Sequence, residues 1–159
     1  MKILDLGCGT NKIKDSIGVD YKKFEGVDIV YDLNEVPYPF EDNSIDEIYT
    51  SHLLEHLQIH TIGFFNECYR ILKPMGVLHF SCPNAYFFRN RLLFLFGKQI
   101  PSYHPFHIKF LKPSYVYNLL THIGFSVVFL PSSGRLKPFE KIWRNMVACE
   151  VKFEARKRP

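Results

Sequence analysis

Residues 4–10 read Leu-Asp-Leu-Gly-Cys-Gly-Thr, and they constrain the fold more than any other part of this chain. Apolar side chains lead into Gly7-Cys8-Gly9, the pattern of a buried parallel strand running into a glycine turn. Without a Cβ in the way, such a turn lets the backbone approach a ligand closely. A Walker phosphate loop needs GxxxxGK[ST], and here only Lys12 is present, without the second glycine. The dinucleotide fingerprint GxGxxG needs glycine at position 12, which that lysine occupies. Both phosphate-binding loops are disfavoured, and a nucleoside ligand without phosphates fits better.

The next segments support that reading. Residues 17–20 (IGVD) read as a second short strand ending in Asp20, placed to accept hydrogen bonds from both hydroxyls of a ribose. Residues 27–33 (VDIVYDL) read as a third strand ending in Asp32-Leu33. The aspartate suits an adenine amino group and the leucine suits the face of the base. With YDLNEVPYPFEDNSIDEIYTSHLLEHL and YRILKPMGVLHFSCPN following in order, the chain resembles the class I S-adenosylmethionine-dependent methyltransferases, most closely their type-11 group. The resemblance covers residues 3–84, with a weaker continuation through HPFHIKFLKPSYVYNLLTHIGF at 104–125.

The resemblance implies an α/β fold: a Rossmann-like, mostly parallel seven-stranded sheet in the order 3-2-1-4-5-7-6, its last strand antiparallel. The implied cofactor is S-adenosylmethionine. Gly7, Cys8 and Gly9 would wrap its methionine end, and Asp5 would anchor the amino group directly or through water. Asp20 would hold the ribose, with Asp32 and Leu33 framing the adenine. Ser51 and His52 follow the fourth strand and would lie beside the transferable methyl. Amino-group methylases of adenine carry Asn/Asp-Pro-Pro-Tyr/Phe there, whereas this chain has Thr50-Ser51-His52-Leu53, which argues against that substrate class. In the LKPGG signature Met75 replaces the first glycine, at a turn.

At 159 residues, with 47% apolar and 23% charged residues, the composition is that of one globular domain spanning 1–159. Residues 85–112 are expected to form a lid or substrate-side insertion. The net charge of +4 is mild and does not by itself call for nucleic acid. Cys8, Cys68, Cys82 and Cys149 show no CxxC and no paired histidine pattern, so a reducing cytoplasm is expected, without zinc or a disulfide framework. No signal peptide is visible, and the longest wholly apolar run near the middle, Leu92–Phe96, is too short to span a bilayer.

Strands are expected at 2–6, 17–20, 27–31, 46–51, 77–82, 126–130 and 146–153. Helices are expected at 60–72, closed by Lys73-Pro74, and at 113–123, opened by Pro113 and stopped at Gly124. A parallel crossover usually needs about a dozen residues. Residues 7–16 therefore allow only a minimal helix or turn, and the next crossover can hardly hold a helix, leaving one sheet face thinly covered. The helices that precede the first strand in related methyltransferases have no counterpart, so the active site is expected to be open, or closed by a homodimer mate or partner subunit.

Methyl transfer from a sulfonium is an in-line displacement. The protein's tasks are orientation and exclusion of water, with a base added when the nucleophile must lose a proton. His52 and His107 are the candidate catalytic residues, an ordinary imidazole pKa of ~6.5 suiting proton transfer near neutrality. His104 is a further candidate; Glu55 and His56 belong to the LEHL signature, where His56 more often packs at a helix start. Residues 85–100 (AYFFRNRLLFLFGKQI) read as a substrate lid, as an interfacial amphipathic segment or dimer surface, or as a core helix. Arg135, Lys137, Lys141, Arg144 and the tail ARKRP read as a solvated face or as steering for an anionic acceptor. The expected function is methyl transfer to an O, N or C nucleophile of a small molecule. The alternatives are a non-catalytic S-adenosylmethionine-binding subunit or an RNA or macromolecule methyltransferase; a nicotinamide oxidoreductase is remote.

Overall fold

The computed structural model describes residues 1–98, 108–130 and 150–159. In chain order the described elements are β1 (Ile3–Leu6), β2 (Ile17–Asp20), β3 (Ile29–Val30), β4 (Ile45–Ser51), α1 (Thr61–Ile71), β5 (Leu72–Pro83), α2 (Phe88–Leu95), α3 (Pro113–Ile123), β6 (Phe125–Leu130) and β7 (Glu150–Lys157). The strands form one sheet ordered β3-β2-β1-β4-β5-β7-β6. β1 to β5 pair in parallel, and β7 lies antiparallel between β5 and β6. This is the expected Rossmann-like order with an antiparallel last strand.

One face of the sheet carries the core. α1 turns Phe64, Phe65, Cys68 and Ile71 inward, and Phe65 meets Phe80 of β5 edge-on at 5.2 Å. α3 begins at Pro113, whose fixed φ suits a first helical turn, and buries Val116 and Leu120. It stops at Gly124, where φ is +122° and a Cβ would stand 3.0 Å from the Tyr69 hydroxyl. Each buried Phe or Leu contributes about 1.5–3 kcal/mol relative to exposure.

The opposite face is written differently. Strands of doubly wound sheets are usually buried on both faces and read as continuous apolar runs. Here β4, β5 and β7 alternate, placing Glu47, Tyr49 and Ser51, then His79 and Ser81, then Lys152 and Glu154 on a partly exposed face. Tyr49 and His79 stack at 4.2 Å, and the Tyr49 hydroxyl donates to Glu47 at 2.9 Å. Residues 7–16 and 21–28 cross without a helix, as their lengths require. Gly18 is what lets both crossovers press down on β2: a Cβ there would lie 2.6 Å from Lys12 Cδ and 2.9 Å from Gly26 O. Lys12 and Asp28 clasp above it at 2.9 Å.

Strand boundaries differ from expectation at three places. β5 starts at Leu72 and not at 77, because Ile45 pairs with Leu72 ahead of the irregularity between Ile45 and Glu47. β3 is only Ile29–Val30, because the Asp28 carboxylate, and not a strand carbonyl, accepts the Gly18 N–H at 2.7 Å. β7 runs to Lys157, so the tail expected to be solvated is partly sheet: Ala155 and Lys157 are buried. The expected strand start at 146, the connection with Arg135, Lys137, Lys141 and Arg144, and Cys149 lie outside the described residues.

Candidate functional site

A cleft of about 630 Å³ opens where β1, β2, β3 and β4 end, lined by Gly7, Asp20, Asp32, Leu33, His52, Leu53, His56 and Leu57 among others. That volume falls in the usual range for small-molecule sites, about 300–1,000 Å³. Gly7 forms its floor. Its φ is +73°, its N–H donates to Val19 O at 2.8 Å, and a Cβ would stand 2.8 Å from Leu53 Cδ1. Only glycine combines that backbone with that contact.

Asp20, at the end of β2, is buried. One of its carboxylate oxygens accepts the Gly9 N–H at 2.9 Å, the other the Lys22 N–H at 3.4 Å. The acid at the strand end thus shapes the glycine loop as well as facing the cleft. Gly9, at φ +53°, has nothing within 4 Å of where a Cβ would be, so the loop presents open backbone there. Asp32 accepts both the backbone and side-chain N–H of Asn34 at 2.9 Å. Asn34 in turn accepts the N–H groups of Gln58 and Ile59 at 2.6 and 3.2 Å, tying the turn after β3 to the far wall. Asn34 was not singled out from the sequence, although the Asp-x-Asn spacing is an Asx-turn signal. Tyr21, Gln58 and Ile108 also line the cleft without having been anticipated.

Asp5, Cys8 and Ser51 are gathered in an adjoining hollow of about 590 Å³ on the open sheet face, which shares Gly7 with the cleft and includes Tyr49, His79, Ser81 and Lys152. Asp5 accepts the Ile13 N–H at 2.9 Å, and burial raises its carboxyl pKa above the usual value despite that bond. Ser51 and Ser81 share a hydroxyl hydrogen bond of 2.8 Å. Burial, aided by the Asp5 and Asp20 charges, pushes the Cys8 thiol up to about 11. Cys8 therefore stays a neutral thiol at neutral pH and is a poor nucleophile.

His52 leaves β4 with φ +52°, its N–H donating to Ser81 O at 3.0 Å. Its ring is bracketed by carboxylates: Nδ1 lies 3.4 Å from Glu55 and Nε2 3.0 Å from Glu150 of β7. The Glu55 carboxylate beside Nδ1 raises the His52 pKa, burial opposes it, and Glu150 reinforces the rise. Glu55 is buried, with neither carboxylate oxygen in a hydrogen bond. Gly7, Asp20, Asp32, Leu33 and His52 thus meet in the cleft, Asp5, Cys8 and Ser51 beside it, and Gly9 between them through Asp20. His104 and His107 lie outside the described residues.

The donor set specifies a ligand class. Among the described residues no Lys or Arg lines the cleft, so the permanent cations that usually hold a phosphate are lacking there, while two carboxylates suit hydroxyl, amino and cationic groups. Leu33, Leu53 and Leu57 supply apolar walls for a base. A nucleoside carrying positive charge fits these residues, and S-adenosylmethionine is such a molecule. No described helix is long and apolar enough to cross a membrane.

Comparison with known proteins agrees. Residues 1–130 match the model of a methyltransferase domain family. A probable S-adenosylmethionine-dependent methyltransferase of Mycolicibacterium smegmatis is 32% identical over 143 residues, covering 79% of this chain and 52% of that protein. The mitochondrial ubiquinone biosynthesis O-methyltransferase of Mus musculus is 27% identical, covering 98% of this chain and 51% of that protein. The chain spans about half the length of the curated relatives it matches. The crystal structure of a SAM-dependent methyltransferase from Archaeoglobus fulgidus superposes with a TM-score of 0.72 at 20% identity, over 98% of this chain and 86% of that one. By the family match over most of its length, the chain belongs to the S-adenosylmethionine-dependent methyltransferases.

Proposed function

We propose that the chain binds S-adenosylmethionine in the cleft and transfers its methyl group to an O, N or C nucleophile of a small molecule admitted along the neighbouring hollow. Bound there, the cofactor supplies an electrophilic methyl on a sulfonium. The observation that carries this reading is the composition of the cleft, with Asp20 and Asp32 among leucines and no Lys or Arg among its described lining residues. Asp20 holds the ribose while keeping its bond to Gly9, Asp32 and Leu33 frame the adenine, and Gly7 to Gly9 present backbone to the methionine end. Asp5 and Ser51 face the hollow and orient the groups that reach it. The raised thiol pKa of Cys8 keeps the nearest sulfur from competing for the methyl.

His52 lines the cleft directly after Ser51, which lines the hollow, and it handles the acceptor's proton. Carboxylates beside both ring nitrogens favour the imidazolium, a form that has no lone pair. Release of Nε2 from Glu150 is required before it acts as a base, and the Glu55 charge then stabilises the protonated product form. The mouse relative's designation as an O-methyltransferase supports an oxygen acceptor.

Calorimetric titration with S-adenosylmethionine, S-adenosylhomocysteine and NADH tests the reading. Micromolar binding of the two sulfur nucleosides with NADH silent is expected. Silence of both removes the cleft as a cofactor site. Binding without turnover across an acceptor panel points to a non-catalytic subunit.

A further inference from the structure

α2 is built the wrong way round for a helix of a folded core. Over Phe88–Leu95 the only fully buried residue is Asn90, whose side-chain amide donates to the carbonyls of Asn84 and Ala85. Leu92 is 49% exposed, Phe94 and Leu95 75%, and Phe96 just beyond 71%. Of the sequence readings for this stretch, a core helix is therefore the one the structure does not support. At 100° per residue, Leu92 and Leu95 lie at the centre of the outward face. Arg91 and Arg89 flank them, both exposed. Arg91 is held in place by donating from Nε to Tyr86 O at 3.0 Å and by its guanidinium lying 5.9 Å from the Tyr86 ring.

A second exposed strip adjoins it. Ile108 and Phe110 are 54% and 47% exposed, next to the exposed Lys112. Phe110 lines one small cavity together with Ala85, just ahead of α2, while Ile108 lines the cofactor cleft. The second strip therefore reaches the rim of the cleft through Ile108, and α2 adjoins it through the cavity that Ala85 and Phe110 share. The charge pattern around them is one-sided: from Cys68 to Phe139 the sequence contains no Asp or Glu, while Arg and Lys recur throughout.

We propose that α2 and the segment Ile108–Lys112 seat the protein on the surface of an anionic lipid bilayer. Apolar side chains at the centre with arginines at the flanks are the arrangement of a helix lying in the interfacial plane, its hydrocarbon in the acyl boundary and its cations at the headgroups. Eight residues at 1.5 Å each lie on a membrane and cannot cross it. A second copy of the chain suits this face less well, since a two-fold contact would bring the same arginines together. Single-stranded nucleic acid stacks on flat rings, whereas leucines occupy the centre here. The seat sets the mouth of the cleft against the lipid.

Co-sedimentation with vesicles of phosphatidylcholine alone, or mixed with phosphatidylglycerol, tests this independently of methyl transfer. Binding to the mixed vesicles, weakened by salt, is expected. Phe94→Ser with Leu95→Ser, and separately Arg89→Gln with Arg91→Gln, should each bind at least about tenfold more weakly. These side chains are exposed, so the variants should keep the wild-type thermal midpoint and S-adenosylmethionine affinity. Three results overturn the seat: no binding to mixed vesicles, equal binding by the variants, or a wild-type dimer in light scattering that the Phe94/Leu95 variant dissociates. Vesicle binding by a chain that takes no S-adenosylmethionine would instead overturn the methyl-transfer reading and leave the seat standing.

Discussion

Lys157 carries an ammonium group into the interior, donating to Asn43 Oδ1 and Leu72 O at 2.8 Å and to Tyr69 O at 2.6 Å, with the Tyr69 ring 4.5 Å away. Burial lowers its pKa. Replacing it by alanine strands the carbonyls of Tyr69 and Leu72, so Lys157→Ala should cost about 2–3 kcal/mol in a urea titration; a loss below about 0.5 kcal/mol would show that water replaces the ammonium freely. ARKRP reads as a charged tail, and that is why the role of Lys157 was missed. The signal was present: Val151, Phe153 and Ala155 alternate inward, and a period of two carries Lys157 to the same side. Met75 makes the complementary case. It occupies φ +67° at an exposed turn, where the family signature has glycine. Gly76 needs its missing Cβ for space, 2.9 Å from Lys73 O. Met75→Gly should therefore raise stability by about 1 kcal/mol by relieving left-handed strain, read as an upward shift of the urea midpoint; a downward shift would mean that the freedom gained by the unfolded chain outweighs it.

Between elements, what a local pattern can show and what it cannot separate cleanly. α1 and α3 were legible because their apolar period, Pro113 and Gly124 are all local signals, and β1 and β2 because they end in recognisable turns. The contact between His52 and Glu150 was not legible: it joins residues 98 apart in sequence, brought together only because β7 inserts between β5 and β6. The same contact makes the junction of β4 and β7 sensitive to pH. The folded pKa of His52 is raised by Glu55 and then Glu150, so its contribution is fully present below the ordinary value of ~6.5 and fades as pH rises through the raised value. The ring is nearly half exposed, which limits the effect to about 1 kcal/mol. Thermal midpoints of wild type and His52→Gln, followed from pH 5.5 to pH 9, should differ most at the acid end and converge at the alkaline end. A difference constant across the range would mean that the two carboxylates do not hold an imidazolium. Asp20 joins two elements as well, β2 and the glycine loop, so its test needs two variants. Asp20→Asn can keep the Gly9 bond and loses only the charge. Asp20→Ala loses both and should weaken S-adenosylmethionine by about 1.5–3 kcal/mol, with Asn between wild type and Ala. Equal affinities in all three proteins would remove Asp20 from the site.

Across the whole molecule, one core on one face of the sheet holds α1, α3 and the strands, while the cleft is assembled from loops that lack helices of their own. Residues 7–13, 20–22, 32–34 and 52–58 are joined to one another mainly through polar contacts: Asp20 to Gly9, Asp5 to Ile13, and Asn34 to Gln58 and Ile59. Leu33, Leu54 and Leu57 anchor two of these segments in the core, but loops without helix or strand hydrogen bonding open at a lower free energy than the elements they join. A nucleoside spanning the cleft would touch all of them at once and couple their openings. At a ligand concentration 100-fold above Kd, binding adds about 2.7 kcal/mol against global unfolding. Hydrogen exchange with and without S-adenosylmethionine should therefore slow most in those four segments, with α3 and β6, which lie away from the cleft, little changed. Slowing confined to the glycine loop would mean that the ribose and adenine ends do not engage Asp20 and Asp32. Slowing spread evenly over the sheet would mean that the loops already open only with the core, and that the cleft is preformed rather than drawn together by its ligand.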